Sequence, residues 1–461
     1  GLMFAGYYFM NLAFLFQYLK YIRKRNPVVM LLGGILLWCF PSVAEAFWID
    51  GCCADLTMAV IYGAFLVAVT DREGHSNAFY YGRQALYLMV LVLCKNTGFI
   101  WVAFGLIFDY GYHLVMHKKE ACEKGAKKGH RRWFLLVTAL PVLTECIWLS
   151  FCLLNRRVAK LTGVAIQMAT GSMNIPEYQE EMVRAFTEAF IKWPLHRRST
   201  LAIDLSPLAL YLLLILFVVL LWKFHLLDKE YAIYTGIFMA ASGLIFYAFN
   251  LVGHLTIFAV ETQYLEPFGM VSSIERYGAP FTIGGLCLIT YLLLEKSKGY
   301  QGALVCMLFI LLTADHQGAY RGIWGYRENR EEILAQREEI IDEAAERFLD
   351  KIKSEEPGDI GRVLYLRDIS DVSWVRNTYI GFEAAPVSVM YGNVDTESFG
   401  SQDIINAVSQ AHAGFLYVDE PGGDGQGLFA PFLGGEDMEY GCLYCLTETA
   451  EGMEMRKYEK N

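Results

Sequence analysis

"SPLALYLLLILFVVLLW" (206–222) runs seventeen residues without a charge, and "YAIYTGIFMAASGLIFYAFNLVG" (231–253) runs twenty-three. Each is close to the roughly 20 apolar residues that cross a bilayer core as a helix. Working outward, comparable stretches can be drawn at 2–19, 28–47, 53–70, 85–94 with 97–116, 133–153, 277–294 and 300–314. The 461 residues are 55% hydrophobic and 15% aromatic, and the mean hydropathy of +0.31 is high for a soluble protein of this length. The expected fold is an α-helical polytopic membrane domain of about nine or ten segments over residues 1–318, followed by a small acidic α/β domain over 319–461.

The formal charge of −10 averages two unlike regions. Acids crowd the last third, whereas the apolar part carries clustered Lys and Arg in "KYIRKR" (20–25), "HKKEACEKGAKKGHRR" (117–132) and "EKSKG" (295–299). Basic loops stay preferentially in the cytoplasm. Placing all three there makes 85–94 and 97–116 turn back on themselves around "CKNTG" (94–98). It also leaves 48–52, 154–206, 254–276 and everything after about 315 outside. The chain opens at Gly1 inside an apolar segment, with no basic region before it and no small-residue cleavage site after it. A signal peptide is therefore not expected, and a start further upstream is.

Within the outer loop, "IPEYQEEMVRAFTEAFIKW" (175–193) spaces Met182, Phe186, Ala189, Phe190 and Trp193 as an amphipathic helix. Such a helix lies either on the outer leaflet or against the protein's own surface. Beyond 327, "ENREEILAQREEIIDEAAERFLDKIKS" (328–354) predicts a helix with Ile333, Ile340, Ala344, Phe348 and Ile352 on one face. "GRVLYLRD" (361–368) predicts a strand, and 374–393 and 401–420 each predict helix then strand, the alternation of an α/β domain. "PGGDGQGLFAPFLGGE" (421–436) reads as a Gly-rich surface loop with no nucleotide role. Of eleven cysteines, six (Cys39, Cys94, Cys146, Cys152, Cys287, Cys306) fall in apolar runs, where Cys acts as a small hydrophobe. Cys442 and Cys445 form a lone CxxC without a second pair, so neither a disulfide framework nor a zinc site follows.

Ionisable groups at membrane depth are costly and tend to be functional. Glu45, Asp50 and Asp55 flank the turn "EAFWIDGCCAD", Lys95 interrupts an apolar run, and Arg156 follows the span ending near 153. Glu261, Glu275, Arg276 and Tyr277 sit at the opening of the 277–294 segment, with His254 before them. An Arg there suits a phosphate, because its planar fork pairs with two oxygens. A nearby carboxylate could act as general base toward a hydroxyl. The bland reading makes Glu275 and Arg276 interfacial anchors or a local ion pair, and Lys95 a snorkelling side chain.

Three stretches, "WIDGCCADLTMAVIYGAFLVAV" (48–69), "LVLCKNTGFIWVAFGLI" (91–107) and "ETQYLEPFGMVSSIERYGAPF" (261–281), resemble membrane glycosyltransferases of the type C fold. That class depends on polyprenyl-phosphate sugars and includes protein mannosyltransferases and aminoarabinose transferases. A nearer resemblance is to polytopic membrane proteins of Gram-positive gut bacteria. The resemblance implies residence in a bacterial cytoplasmic membrane with the C-terminal domain outside. It implies a polyprenyl-phosphate-linked sugar as donor, a glycan, lipid or protein acceptor, and in many members a divalent metal. By the third stretch it implies Arg276 on the lipid phosphate, with Glu261 and Glu275 lining the cavity. The family's catalytic Asp, in the first outer loop, has no match in this sequence. Nucleic acid is not an expected partner of so acidic a chain. Two other classes stay open: a flippase for a lipid-linked glycan using Lys95 and the broken segment 85–116, and a non-catalytic envelope protein that binds a partner through its outer domain.

Overall fold

The structure is a computed structural model. It describes residues 2–20, 27–41, 43–48, 53–117, 126–154, 170, 179–193, 205–256, 269–296, 300–315, 319–320, 330–356, 358–371, 373–396, 398–419, 426–449 and 452–458. The chain divides into two compact units, Gly1–Tyr326 and Arg327–Asn461; the boundary read from composition is at 318/319.

The first unit is helical: α1 (Leu2–Leu15), α2 (Pro27–Trp38), α3 (Val43–Trp48), α4 (Ala54–Thr70), α5 (Asn77–Cys94), α6 (Gly98–His117), α7 (Ala126–Leu154), α8 (Gln179–Lys192), α9 (Pro207–Lys223), α10 (Lys229–Thr256), α11 (Ile274–Lys296) and α12 (Tyr300–Thr313). Among the described residues, four stretches are long and apolar enough to cross a membrane: Gly98–Val115, Arg132–Leu154, Lys229–Thr256 and Val271–Glu295. That is fewer than the nine or ten segments expected. The helices Pro27–Trp38, Ala54–Thr70, Pro207–Lys223 and Gln301–Thr313 are apolar but shorter; seventeen residues rise only about 25 Å against a core of about 30 Å. The expected segment 28–47 is broken after Trp38, where Pro41 withholds a donor and disfavours helix in the residue before it.

The turn at "CKNTG" joins two complete helices and is not a short re-entrant loop. Ser76 caps α5 by accepting the Phe79 amide at 3.3 Å, which starts the helix well before residue 85. Gly98 closes the turn on the Lys95 carbonyl at 2.7 Å. A Cβ at Gly98 would stand 2.0 Å from the Leu91 carbonyl oxygen, so no larger residue fits. Contacts of Tyr80 with His113 and of Leu88 with Gly105 show that α5 and α6 run antiparallel.

α11 is the axis of the unit: residues 278–294 are all buried. It lies parallel to α4, since Asp55 meets Arg276 and Gly63 meets Gly284 and Cys287. α6 is also parallel to α4, through Tyr62 with Trp101 and Phe65 with Gly105. α10 runs opposite to α11, with Tyr247 against Gly278 and Met239 against Gly285. The amphipathic α8 packs on the protein itself: Met182, Phe186 and Ala189 are buried, Phe186 lies against His254 and Phe190 against Tyr247.

The second unit carries a five-stranded sheet in the order β2-β1-β3-β4-β5, with β1 (Arg362–Asp368), β2 (Ser388–Val394) and β3 (Phe415–Val418) parallel, and β4 (Leu443–Thr449) and β5 (Gly452–Lys457) antiparallel. The β4–β5 hairpin lies beyond the strands that the sequence predicts. The expected helix over 328–354 is two, α13 (Arg330–Ile340) and α14 (Glu343–Lys353), because Asp342 caps the second by accepting the Ala345 amide at 2.8 Å. The interruption changes the buried face. Ala345, Phe348, Leu349 and Ile352 are covered, whereas Ile333 is exposed. α15 (Trp374–Glu383) and α16 (Ser401–Ala411) make the β1–β2 and β2–β3 crossovers. Within 421–436, Gln426–Phe429 is a short helix; residues 421–425 lie outside the described part.

Candidate functional site

Parallel and antiparallel packing brings five helix ends together: the starts of α4, α6 and α11 and the finishes of α5 and α10. Asp55 stands in the first turn of α4 and is buried. Lys95, the residue that ends α5, places its Nζ 2.7 and 2.9 Å from the two Asp55 oxygens. Arg276, in the first turn of α11, brings its Nε to 3.7 Å of Asp55 Oδ2 and donates to Ser273 Oγ and Tyr277 Oη at 3.4 Å. The Tyr277 ring lies beside both cations, 4.7 Å from Lys95 Nζ and 5.2 Å from the Arg276 guanidinium carbon. Two cations thus share one carboxylate. The side chain of Asp55 is 6% exposed, while those of Lys95 and Arg276 are 30% and 33% exposed.

Polar groups extend from this centre. Two residues on from Asp55, Thr57 contacts Tyr7 Oη at 2.6 Å and Asn11 Oδ1 at 3.0 Å, tying α1 to α4. His254, fully buried near the end of α10, holds the Asn250 carbonyl through Nδ1 at 2.8 Å and lies edge-on to Tyr277. Its Nδ1 faces an acceptor and therefore carries the proton of that bond.

Of the residues singled out from sequence, Lys95, Arg276 and Tyr277 meet here. Glu275, on the same first turn, is half-buried and acts electrostatically on Tyr247. Glu261, Asp50 and Arg156 lie outside the described residues, as does the side chain of Glu45 in α3. Asp55, which the sequence offers with Glu45 and Asp50 as an ionisable group at membrane depth, is the acid that both cations share; an acid in the first turn of an apolar run is the signal that marks it. Among the described residues the cluster offers one carboxylate, already engaged by two cations, and no group of three His, Cys, Asp or Glu side chains able to hold a metal occurs there. An apolar groove of about 580 Å³, lined by residues including Phe16, Met30, Trp38 and Tyr320, shares no residue with the cluster.

Comparison with protein-family models, curated proteins and solved structures returns no match.

Proposed function

We propose that the chain is a multi-pass membrane protein that holds the phosphate of a lipid-linked sugar at the Asp55–Lys95–Arg276 cluster and transfers the sugar to an acceptor hydroxyl at the outer face. The observation that carries this reading is the shared carboxylate. Lys95 and Arg276 are held at a common helix-bundle end, partly exposed, and an incoming phosphate can take both by exchange for Asp55. Exchange leaves Asp55 as a carboxylate beside the reacting centre. In the transfer, the acceptor oxygen attacks the anomeric carbon and the bond from that carbon to the phosphate oxygen breaks. The acceptor proton passes to Asp55, and polyprenyl phosphate departs against Arg276 and Lys95. The sugar-transfer step comes from the resemblance of the three short stretches, and so do the outer-face orientation and the extracytoplasmic placement of the second unit. The flippase reading has less support: it relied on a segment broken at mid-membrane, and Lys95 instead joins two full helices at the bundle end.

Native mass spectrometry of protein extracted gently from its own membrane tests the reading. The expected result is a co-purifying phosphate-bearing lipid that is lost from Arg276→Ala and Lys95→Ala and retained in Asp55→Asn, with sugar turnover lost in all three. The same lipid content in every variant would return Arg276 and Lys95 to the role of interfacial anchors.

A further inference from the structure

The five-stranded sheet of the second unit has two edges, β2 and β5. β5 reads "GMEMRK" (452–457) and pairs with β4, where Thr447 stands opposite Glu454 and Cys445 opposite Arg456. Bonds in an antiparallel ladder alternate: one opposed pair exchanges both N–H···O bonds and the next exchanges none. The Tyr458 amide donates to the Leu443 carbonyl at 2.8 Å, and that bond sets the phase. Gly452, Glu454 and Arg456 turn their N–H and C=O toward β4, so Met453, Met455 and Lys457 turn theirs outward. Among the described residues no backbone group bonds to this outer row. A groove of about 710 Å³, lined by β5 and by the stretch 431–439, runs beside it and leaves room for another strand.

The side chains follow the same two-residue period. On one face Met455 is 3% exposed in the core, Met453 is half-buried beside it, and Lys457 donates to Glu439. On the other face the side chains of Glu454 and Arg456 are 44% and 79% exposed and bond to each other at 3.1 Å. Charges on an edge strand often keep sheets apart, and one repeated sign does so best. Here the signs differ, and they stand symmetrically about Met455.

A strand of this sequence turned end for end therefore meets itself as a complement. With Met455 opposite Met455, Glu454 lies opposite Arg456, Arg456 opposite Glu454, and Met453 opposite Lys457. Met453, Met455 and Lys457 then occupy the pairs that exchange bonds. The charged residues occupy the pairs that exchange none, where Cα atoms come to about 4.5 Å and side chains approach most closely. A slip of two residues sets Glu454 against Glu454 or Arg456 against Arg456, and a slip of one turns outward groups onto inward ones. β2, the opposite edge, has no charged residue from Ser388 to Val394 and so no such selection of register.

We propose that β5 is a self-association edge: a second copy of this chain pairs with it antiparallel, about a two-fold axis between the two Met455 residues, and the two sheets become continuous. The interface is isologous and closes at two copies. Each Glu454–Arg456 bond within a strand is exchanged for one across the axis, with no charge left over. Apolar burial adds little, because Met455 is already covered; backbone bonds and two charge pairs hold the edge, which places the association among the weaker, reversible ones. The residues are separate from Asp55, Lys95 and Arg276, so failure of this proposal and failure of the sugar-transfer reading are distinguishable.

Sedimentation equilibrium of the full chain in a density-matched detergent tests it. The unsubstituted chain is expected to pass from monomer to dimer as protein concentration rises. Glu454→Arg and Arg456→Glu each set like charges opposite one another and should weaken the dimer by roughly tenfold. An equimolar mixture of these two variants should regain it, as should the double variant Glu454→Arg with Arg456→Glu, because either arrangement restores opposite charges. Both side chains are exposed, so the fold tolerates the changes. Amide exchange reads the backbone: Met453, Met455 and Lys457 should slow as the dimer forms, while Glu454 and Arg456 are slow throughout. A chain that stays monomeric at every loading overturns the proposal, and so does a dimer indifferent to the charge changes or one that the mixture does not regain. Slow exchange of the Met453, Met455 and Lys457 amides in the monomer would overturn it as well, since another segment would then occupy the edge.

Discussion

Glu383, at the end of α15, takes Arg337 at 2.6 and 2.8 Å and Lys353 at 3.0 Å. The Arg337 hydrogen bonds hold its carboxyl down from the ordinary 4.5 to about 2, with help from Lys353 and against partial burial. A carboxyl lowered on folding stabilises the protein above its unfolded pKa, and that stabilisation fades as pH falls through the folded value. The contribution is therefore complete at neutral pH, declines below about pH 4.5 and is gone near pH 2. Arg337→Ala is expected to cost roughly 1 kcal/mol at neutral pH, at the high end for a part-exposed pair. It should also flatten the acid limb of a thermal-unfolding series across that window. At this scale the sequence was partly legible. Arg276 and Lys95 stood out because a charge beside an apolar run is costly. Asp55 is the same kind of residue, but its importance depends on which helix ends meet, and spacing along the chain does not carry that.

Among the elements, α4 and α11 approach so closely that a Cβ on Gly63 would stand 2.8 Å from Cys287 Cβ and 3.2 Å from Gly284 Cα. Small residues that let backbones approach are how helices associate where no hydrophobic force separates lipid from protein. Gly63→Val should force the two helices apart, with an overpacking cost of about 1–3 kcal/mol, read as a lower Tm and as weaker contact between Asp55 and Arg276. Gly236→Ala is the matched control. Its nearest neighbour, Val218, is 3.9 Å away, so the change should be neutral or raise Tm slightly through helix propensity. Helix positions could be read from apolar runs, whereas their breaks could not all be. Pro41 divides a run that hydropathy alone joins, and Asp342 divides the amphipathic stretch 328–354 by capping a new helix. The β4–β5 strands were hidden by their short mixed-polarity alternation and by the Gly-rich approach to them.

For the whole molecule, two compact units with separate cores imply separate unfolding. In the second unit, one face of the sheet buries Phe348, Leu349 and Tyr365 and the other buries Leu366, Ile404 and Phe429. Residues 327–461 produced alone should fold, with slow amide exchange in Val363–Leu366 and Leu416–Val418; uniformly fast exchange there would mean that this unit depends on the first. Composition made the division between an apolar and an acidic region plain. How many apolar stretches are full spans was less plain, because helix length depends on caps and breaks. One consequence of the helix directions reaches beyond packing. α4, α6 and α11 all begin at the Asp55 end, and α9 joins them, since Tyr211 meets Phe281 and Leu214 meets Gly285. Peptide dipoles add along a helix to about half a positive charge at its start, and the starts of α4 and α11 carry Asp55 and Arg276 themselves. The backbone therefore adds to the positive potential that an anion would meet beside Lys95 and Arg276, whereas the finish of α4 is answered at its own end by Arg83, paired with Asp71.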